Sequence, residues 1–211
     1  MKLYNYFRSS ASWRVRIGLA LKGLDYGYVP IHLAKNEQFA GTFAEQQASH
    51  LVPALVLDDG TWLSQSLAIL EYLDETHPEP PLLPRDALGR AQVRALAQDI
   101  ACDIHPLNNL RVLRHLKHGL GHSQDEVDAW YRHWIATGLA IVEQRLARTA
   151  GAYSFGDAPG LADCLLVPQV YNAQRFDCPL DAYPTALRVN AACLALPAFA
   201  GTHPESCPDA A

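Results

Sequence analysis

The chain has 211 residues, of which 49% are hydrophobic and 18% charged, and a formal net charge of −5. Such a length and apolar fraction build one large core or two smaller ones, and they exclude a disordered, collagen-like or metal-stapled chain. The acidic balance argues against nucleic acid as a partner, and no apolar run reaches the ~20 residues that cross a bilayer.

The opening Met1-Lys2-Leu3-Tyr4 lacks the charged-then-apolar pattern of an export signal, so a cytoplasmic location is expected. A strand rich in aromatic residues is predicted over 2–7. Ser12 is expected to cap a helix running to about residue 22, with Gly23 as its left-handed stop. A second strand is predicted over 26–33, a helix over 37–47 and a third strand over 54–57. Asp58-Asp59-Gly60 then turns the chain into a fourth strand at 61–63. A helix over 65–76 carries Leu67, Leu70 and Leu73 along one face. This β-α-β-α-β-β-α order is the thioredoxin-like arrangement.

Residues 77–84 hold four prolines, which a helix does not cross. Strand signals nearly vanish beyond them. One long helical pattern covers 86–118 with a kink expected at Pro106, and a second, capped by Ser123, covers 123–148. Further helices are predicted from Leu161 and from Pro184, and the polar tail from Thr202 is expected to fray. The fold class is thus an α/β thioredoxin-like domain over 1–80 followed by an all-α domain over 86–211. Cys102, Cys164, Cys178, Cys193 and Cys207 form no CxxC pair and read as reduced thiols. None precedes residue 100, so thiol chemistry in the first domain needs a sulfur from outside.

Three short motifs carry chemistry. Arg8-Ser9-Ser10-Ala11-Ser12-Trp13-Arg14-Val15-Arg16 lies where the first strand meets the first helix. Hydroxyls and free N–H groups at a helix start stabilise an anion; the plainer alternative is an ordinary cap by Ser12 with solvated arginines. No GxSxG elbow supports serine-hydrolase chemistry. Pro53 directly precedes a strand, the place where a thioredoxin-like domain carries a cis-proline and exposes the backbone of Val52 to an added peptide strand; a simple turn proline is the alternative. Gln65-Ser66 opens the third helix and suits an α-amino-acid carboxylate, whereas Ser64 with Leu67 lacks the acidic third position of a capping box. His115, His118 and His122 are spaced by three and four, but Gly119 and Gly121 interrupt the helix and no carboxylate or thiolate converges, so no metal is expected.

With these motifs, the sequence resembles the zeta class of the glutathione transferases, which includes maleylacetoacetate isomerase and maleylpyruvate isomerase. The resemblance rests on Arg8-Ser9-Ser10-x-Ser12-x-Arg14-Val15-Arg16-Ile17, Val52-Pro53, the run from Gln65 to Leu73, Asp103-Ile104-His105-Pro106-Leu107-Asn108-Asn109-Leu110, and the run from Leu161 to Gln169. It implies the glutathione transferase fold, glutathione as cofactor and a homodimer. It implies Ser9, Ser10 and Arg8 as catalytic residues, with Ser9 stabilising the glutathione thiolate. Gln38, His50, Val52, Pro53, Gln65, Ser66, Asp103, His105 and Asn109 would bind glutathione. Arg8, Arg111 and Arg175 would receive a small dicarboxylate diketo acid through bidentate forks.

The implied reaction is cis–trans isomerisation of maleylacetoacetate to fumarylacetoacetate by reversible thiolate addition. The alternatives are maleylpyruvate as substrate, transfer to small α-halo acids, and a non-catalytic binding module. Ala11 departs from the class pattern of cysteine or threonine, Gly160 replaces a helix-starting hydroxyl, and Gln47-Ala48 stands where an Asn-Pro pair is common.

Overall fold

The computed structural model describes residues 1–210. They form two compact units: Met1–Leu82 together with the segment from Ala195, and Leu83–Leu194. The first unit holds four strands, β1 (Lys2–Asn5), β2 (Gly27–Pro30), β3 (Ala54–Val56) and β4 (Trp62–Ser64), in the order β2-β1-β3-β4. β1 runs parallel to β2, with Lys2 opposite Gly27, and antiparallel to β3, with Lys2 opposite Val56. Alternation along β1 sends Leu3 to one face and Tyr4 and Tyr6 to the other. Leu3 joins Val15, Leu19, Leu55, Ile69 and Leu73 beneath α1 (Ser10–Leu21) and α3 (Ser66–Thr76). Tyr6 joins Phe7, Ile31, Phe43, Val52 and Ala54 on the opposite face.

Local chemistry moved several boundaries. Ser9, not Ser12, caps α1: its Oγ accepts from Ser12 N at 3.2 Å, while Ser12 Oγ accepts from Tyr6 N. The expected helix over 37–47 divides into a 3-10 turn, Glu37–Phe39, and α2 (Gly41–Gln46), because Ala40 is extended and Gly41 takes φ +58°. β2 is shorter than predicted, since the chain leaves it at Pro30 and enters a 3-10 turn at Leu33.

The two helices on the sheet touch closely at Gly18, where an added Cβ would lie 2.2 Å from Leu70 Cδ2. Leu70 is fully buried, so its side chain yields only by repacking against its neighbours. Gly18→Ala is therefore expected to destabilise the fold by about 1–3 kcal/mol, the usual cost of overpacking. A lowered urea midpoint with an unchanged slope checks it.

The second unit carries α4 (Ala87–Gln98), α5 (Leu110–Arg114), α6 (Gln124–Thr149), α7 (Leu161–Arg175) and α8 (Pro184–Leu194). The predicted helix over 86–118 is not continuous. A π-helical segment, Asp99–Ile104, follows α4, and the chain turns through residues 105–109 before Asn109 caps α5. Pro106 has no N–H for a continuing ladder, so the helix restarts instead of bending. α6 begins with a capping box: Ser123 Oγ accepts from Glu126 N, and the Glu126 carboxylate accepts from Ser123 N. At α7 the missing hydroxyl of residue 160 is offset by Asp163, whose carboxylate accepts from Gly160 N and from Ser154 N, both at 2.9 Å. Burial pushes the Asp163 carboxyl upward, and those two N–H groups oppose the shift.

Over residues 202–210 the tail is not frayed; Ala211, on which the same expectation falls, lies outside the described residues. Trp13 Nε1 donates to Thr202 Oγ1 at 3.1 Å and Arg16 Nε to the Thr202 carbonyl at 3.2 Å, so the polar groups of the tail are satisfied by donors on α1. The segment after Ala195, including α9 (Pro197–Ala200), thus belongs to the first unit and not to the helical one, where the sequence division at 86–211 had placed it. No helix among the described residues is long and apolar enough to cross a membrane.

Candidate active site

The Ser9 hydroxyl stands where β1 hands over to α1. Its oxygen is engaged by Ser12 N, while its own O–H can still donate, and the residue is only half-buried. Ser9 N donates to the Tyr6 carbonyl at 3.0 Å, and Trp13 N to the Ser9 carbonyl at 2.9 Å. The first N–H groups of α1 leave the helix end beside this hydroxyl, an arrangement that favours an anion. Ser10 is buried, and exposed Arg8 lays its guanidinium 4.9 Å from the Phe7 ring centre. Of the solvated arginines of the plainer reading only Arg8 is found so: Arg14 and Arg16 are each 1% exposed.

Arg14 is the residue that sequence reasoning missed. Its Nη1 donates to Ser66 Oγ at 3.3 Å, linking α1 to the first residue of α3. A buried cation therefore lies behind the helix start that suits a carboxylate, adding to the field of the helix. A charged residue in the second turn of a helix with an otherwise buried face was the available signal. Gln65, just before α3, sits at φ 68° and ψ 115°. A non-glycine residue held there is strained, and such strain gathers at ligand clamps.

The Val52–Pro53 peptide is cis, and neither main-chain group of Val52 is engaged by a partner among the described residues. Gln38 and His50 are brought together: His50 Nδ1 lies 3.1 Å from the Gln38 carbonyl, with His50 at φ 53°. Gln38 is 5% exposed, and its Oε1 has no hydrogen-bond partner within the described residues.

In the second unit, His105 and Asn109 meet, with His105 Nε2 3.4 Å from Asn109 Nδ2. Asn109 Oδ1 is taken by Arg111 N at 3.1 Å, which caps α5. Asp103 and Arg111 are exposed. Arg175, also exposed, ends α7 with its guanidinium 5.8 Å from both the Tyr171 and Phe176 ring centres. Arg111 and Arg175 share no contact among the described residues. His115 and His118 fall in a π-helical segment, His115–Gly119, and His122 Nδ1 faces the Glu126 carboxylate at 3.4 Å.

Residues 8–76 match the glutathione S-transferase N-terminal domain family. Along its length the chain is 50% identical to a probable maleylacetoacetate isomerase of Vibrio cholerae, over 99% of this chain and 97% of that one. The chain belongs to the zeta class of the glutathione transferases. A solved bacterial maleylpyruvate isomerase of the zeta class superimposes with a TM-score of 0.96 at 47% identity, covering 100% of both chains. A maleylacetoacetate isomerase of Anaeromyxobacter dehalogenans, solved with glutathione bound, gives 0.90 at 48% identity, covering 100% of this chain and 97% of that one. In this zeta-class chain, as the fold requires, the thioredoxin-like sheet precedes the helical unit, and glutathione is the cofactor.

Proposed function

We propose that the protein is a glutathione-dependent cis–trans isomerase that converts maleylacetoacetate to fumarylacetoacetate. The observation that supports it best is the pair of helix starts in one unit: Ser9 capping α1, and Ser66 opening α3 against buried Arg14. Their chemistry fits the cofactor. The Ser66 end, with Gln65 held in its strained conformation, binds the γ-glutamyl carboxylate; the unpaired main chain of Val52, beside Pro53, pairs with the cysteinyl backbone; Gln38 and His50 line the same site.

When bound, glutathione supplies the thiolate that adds reversibly to the double bond and leaves after rotation. A thiol of pKa about 8.5 is mostly protonated near neutrality, so its ionised form must be stabilised. Ser9 donates its O–H to the sulfur, and the first turn of α1, with Ser10, favours the negative charge. Ala11 has no thiol or hydroxyl, and burial pushes upward the one thiol that the tail brings into this unit, Cys207, so the nucleophile is the cofactor's. Arg8 in the first unit, and Arg111 and Arg175 in the second, are the residues whose guanidinium forks suit the carboxylates of the acid; Asp103, His105 and Asn109 are the further residues that the family resemblance assigns to glutathione. The protein acts as a cytoplasmic homodimer.

A second reading takes maleylpyruvate as the natural acid; the TM-score of 0.96 to the solved maleylpyruvate isomerase supports it no more than the equal score to a maleylacetoacetate isomerase supports the first. Turnover of the two cis acids and of dichloroacetate, each with glutathione, decides among them. The first reading predicts the highest kcat/KM for maleylacetoacetate. Faster maleylpyruvate turnover establishes the second, dichloroacetate as the sole substrate establishes a general transferase, and no retention on immobilised glutathione leaves a binding module of another kind.

A further inference from the structure

Residues 207–210 close over the turn that leads into Ser9. Cys207 and Ala210 pack against the cluster of Tyr6, Phe7, Ile31, Phe43, Val52 and Ala54. Between them, Asp209 uses both carboxylate oxygens: one accepts from Phe7 N at 3.2 Å, the other from the Tyr28 hydroxyl. Burial, reinforced by that bond, pushes the Tyr28 phenol upward, so it stays a protonated donor.

The carbonyl side of the same turn is held by Arg16. Its Nη2 donates to the Phe7 carbonyl at 3.0 Å, its Nη1 to Asn5 Oδ1 at 3.0 Å and to the Tyr6 carbonyl at 3.4 Å, and its Nε to the Thr202 carbonyl at 3.2 Å. Both hydrogen-bonding groups of Phe7 are therefore fixed by side chains, and both holders depend on the tail: Asp209 belongs to it and Arg16 is braced on it. Phe7 stands two residues before Ser9, whose own N–H closes the turn on Tyr6.

We propose that Asp209 is a positioning residue for Ser9, fixing the turn at Phe7 so that the Ser9 hydroxyl is aimed at the thiolate. The inference rests on the assignment of Ser9 given above. A mere anchor for the tail would need only the apolar contacts of Cys207 and Ala210 and the Thr202 bonds. A carboxylate bridging the Phe7 N–H and Tyr28 instead acts on the segment that carries the reactive turn, and small misplacements there are costly to rate.

The test compares Asp209→Ala and Asp209→Asn in the full chain. Asparagine keeps an oxygen for the Phe7 N–H, and its amide can donate to the Tyr28 oxygen, holding the bridge with that second bond reversed. Asp209→Ala is expected to lower kcat by about ten- to a hundredfold with little change in KM for glutathione. The ultraviolet titration of the bound thiolate should move to higher pH, and hydrogen exchange at the Phe7 amide should speed up. Asp209→Asn should restore most of each. Wild-type kcat and thiolate titration in Asp209→Ala, measured well below its unfolding temperature, overturn the proposal, as does an unchanged Phe7 exchange rate. If the wild type itself binds no thiolate, the functional reading fails separately, and Phe7 exchange still decides whether Asp209 fixes the turn.

Discussion

Replacing Ser9 by aspartate is expected to leave the fold intact and lower kcat/KM by about 10³-fold or more. Aspartate caps a helix as well as serine does and its charge suits the helix start, so the bond that Ser9 Oγ now accepts from Ser12 N is kept. Catalysis loses on two counts. The hydroxyl donor is gone, and removing one donor of this kind costs about 10²–10³ in rate. A carboxylate also stands where a thiolate must form, and like charges ~4 Å apart at a protein surface repel by about 4 kcal/mol. Ser9→Ala lacks the repulsion but also lacks the cap, so it should lose about 1 kcal/mol of stability as well. Steady-state kinetics beside thermal unfolding separates the two roles. An aspartate variant that turns over at near wild-type rate would remove Ser9 from the mechanism.

The second large effect is on stability. Asp74, in α3, accepts from Lys22 Nζ at 2.7 Å and from Leu82 N at 2.7 Å, and Lys22 also donates to the Pro80 carbonyl at 2.5 Å. The Lys22 side chain is fully buried and that of Asp74 is 8% exposed. Asp74→Ala strands an ammonium and an amide together, and breaking one side of a buried pair costs about 3–5 kcal/mol. For a protein of this size the unfolding temperature should fall by roughly 10 °C. Replacing the pair together, Lys22→Met with Asp74→Leu, should recover part of the loss, because no buried charge then remains. A double variant less stable than Asp74→Ala would show that the bonds to Pro80 and Leu82, not the ion pair, carry the effect.

What the sequence revealed and what it hid differ by range. The strand and helix order of the first unit, the stop at Gly23, the cap at Ser123 and the start of α7 rest on neighbours a few residues apart, and all are found. Long-range partners were not legible. Arg14 reads as a solvated arginine until Ser66, 52 positions away, is seen to accept its proton. The tail reads as loose until Trp13 and Arg16, more than 180 positions away, are seen to bind Thr202. The sequence pattern puts the cap on Ser12, whereas the helix starts behind Ser9, whose N–H closes a turn on Tyr6. In the second unit, Pro106 signalled an interruption, but not that π-helical turns would flank it.

The return of the tail to the first unit also has a consequence for how the chain is made. Residues Leu83–Leu194 are continuous and can complete their core as soon as they leave the ribosome. The thioredoxin-like unit cannot. Its sheet and helices precede the second unit, yet the acceptors for Trp13 and Arg16 and the carboxylate that meets Phe7 follow it. The segment that carries Ser9 is therefore synthesised well before the residues that lock it, which follow more than 180 positions later.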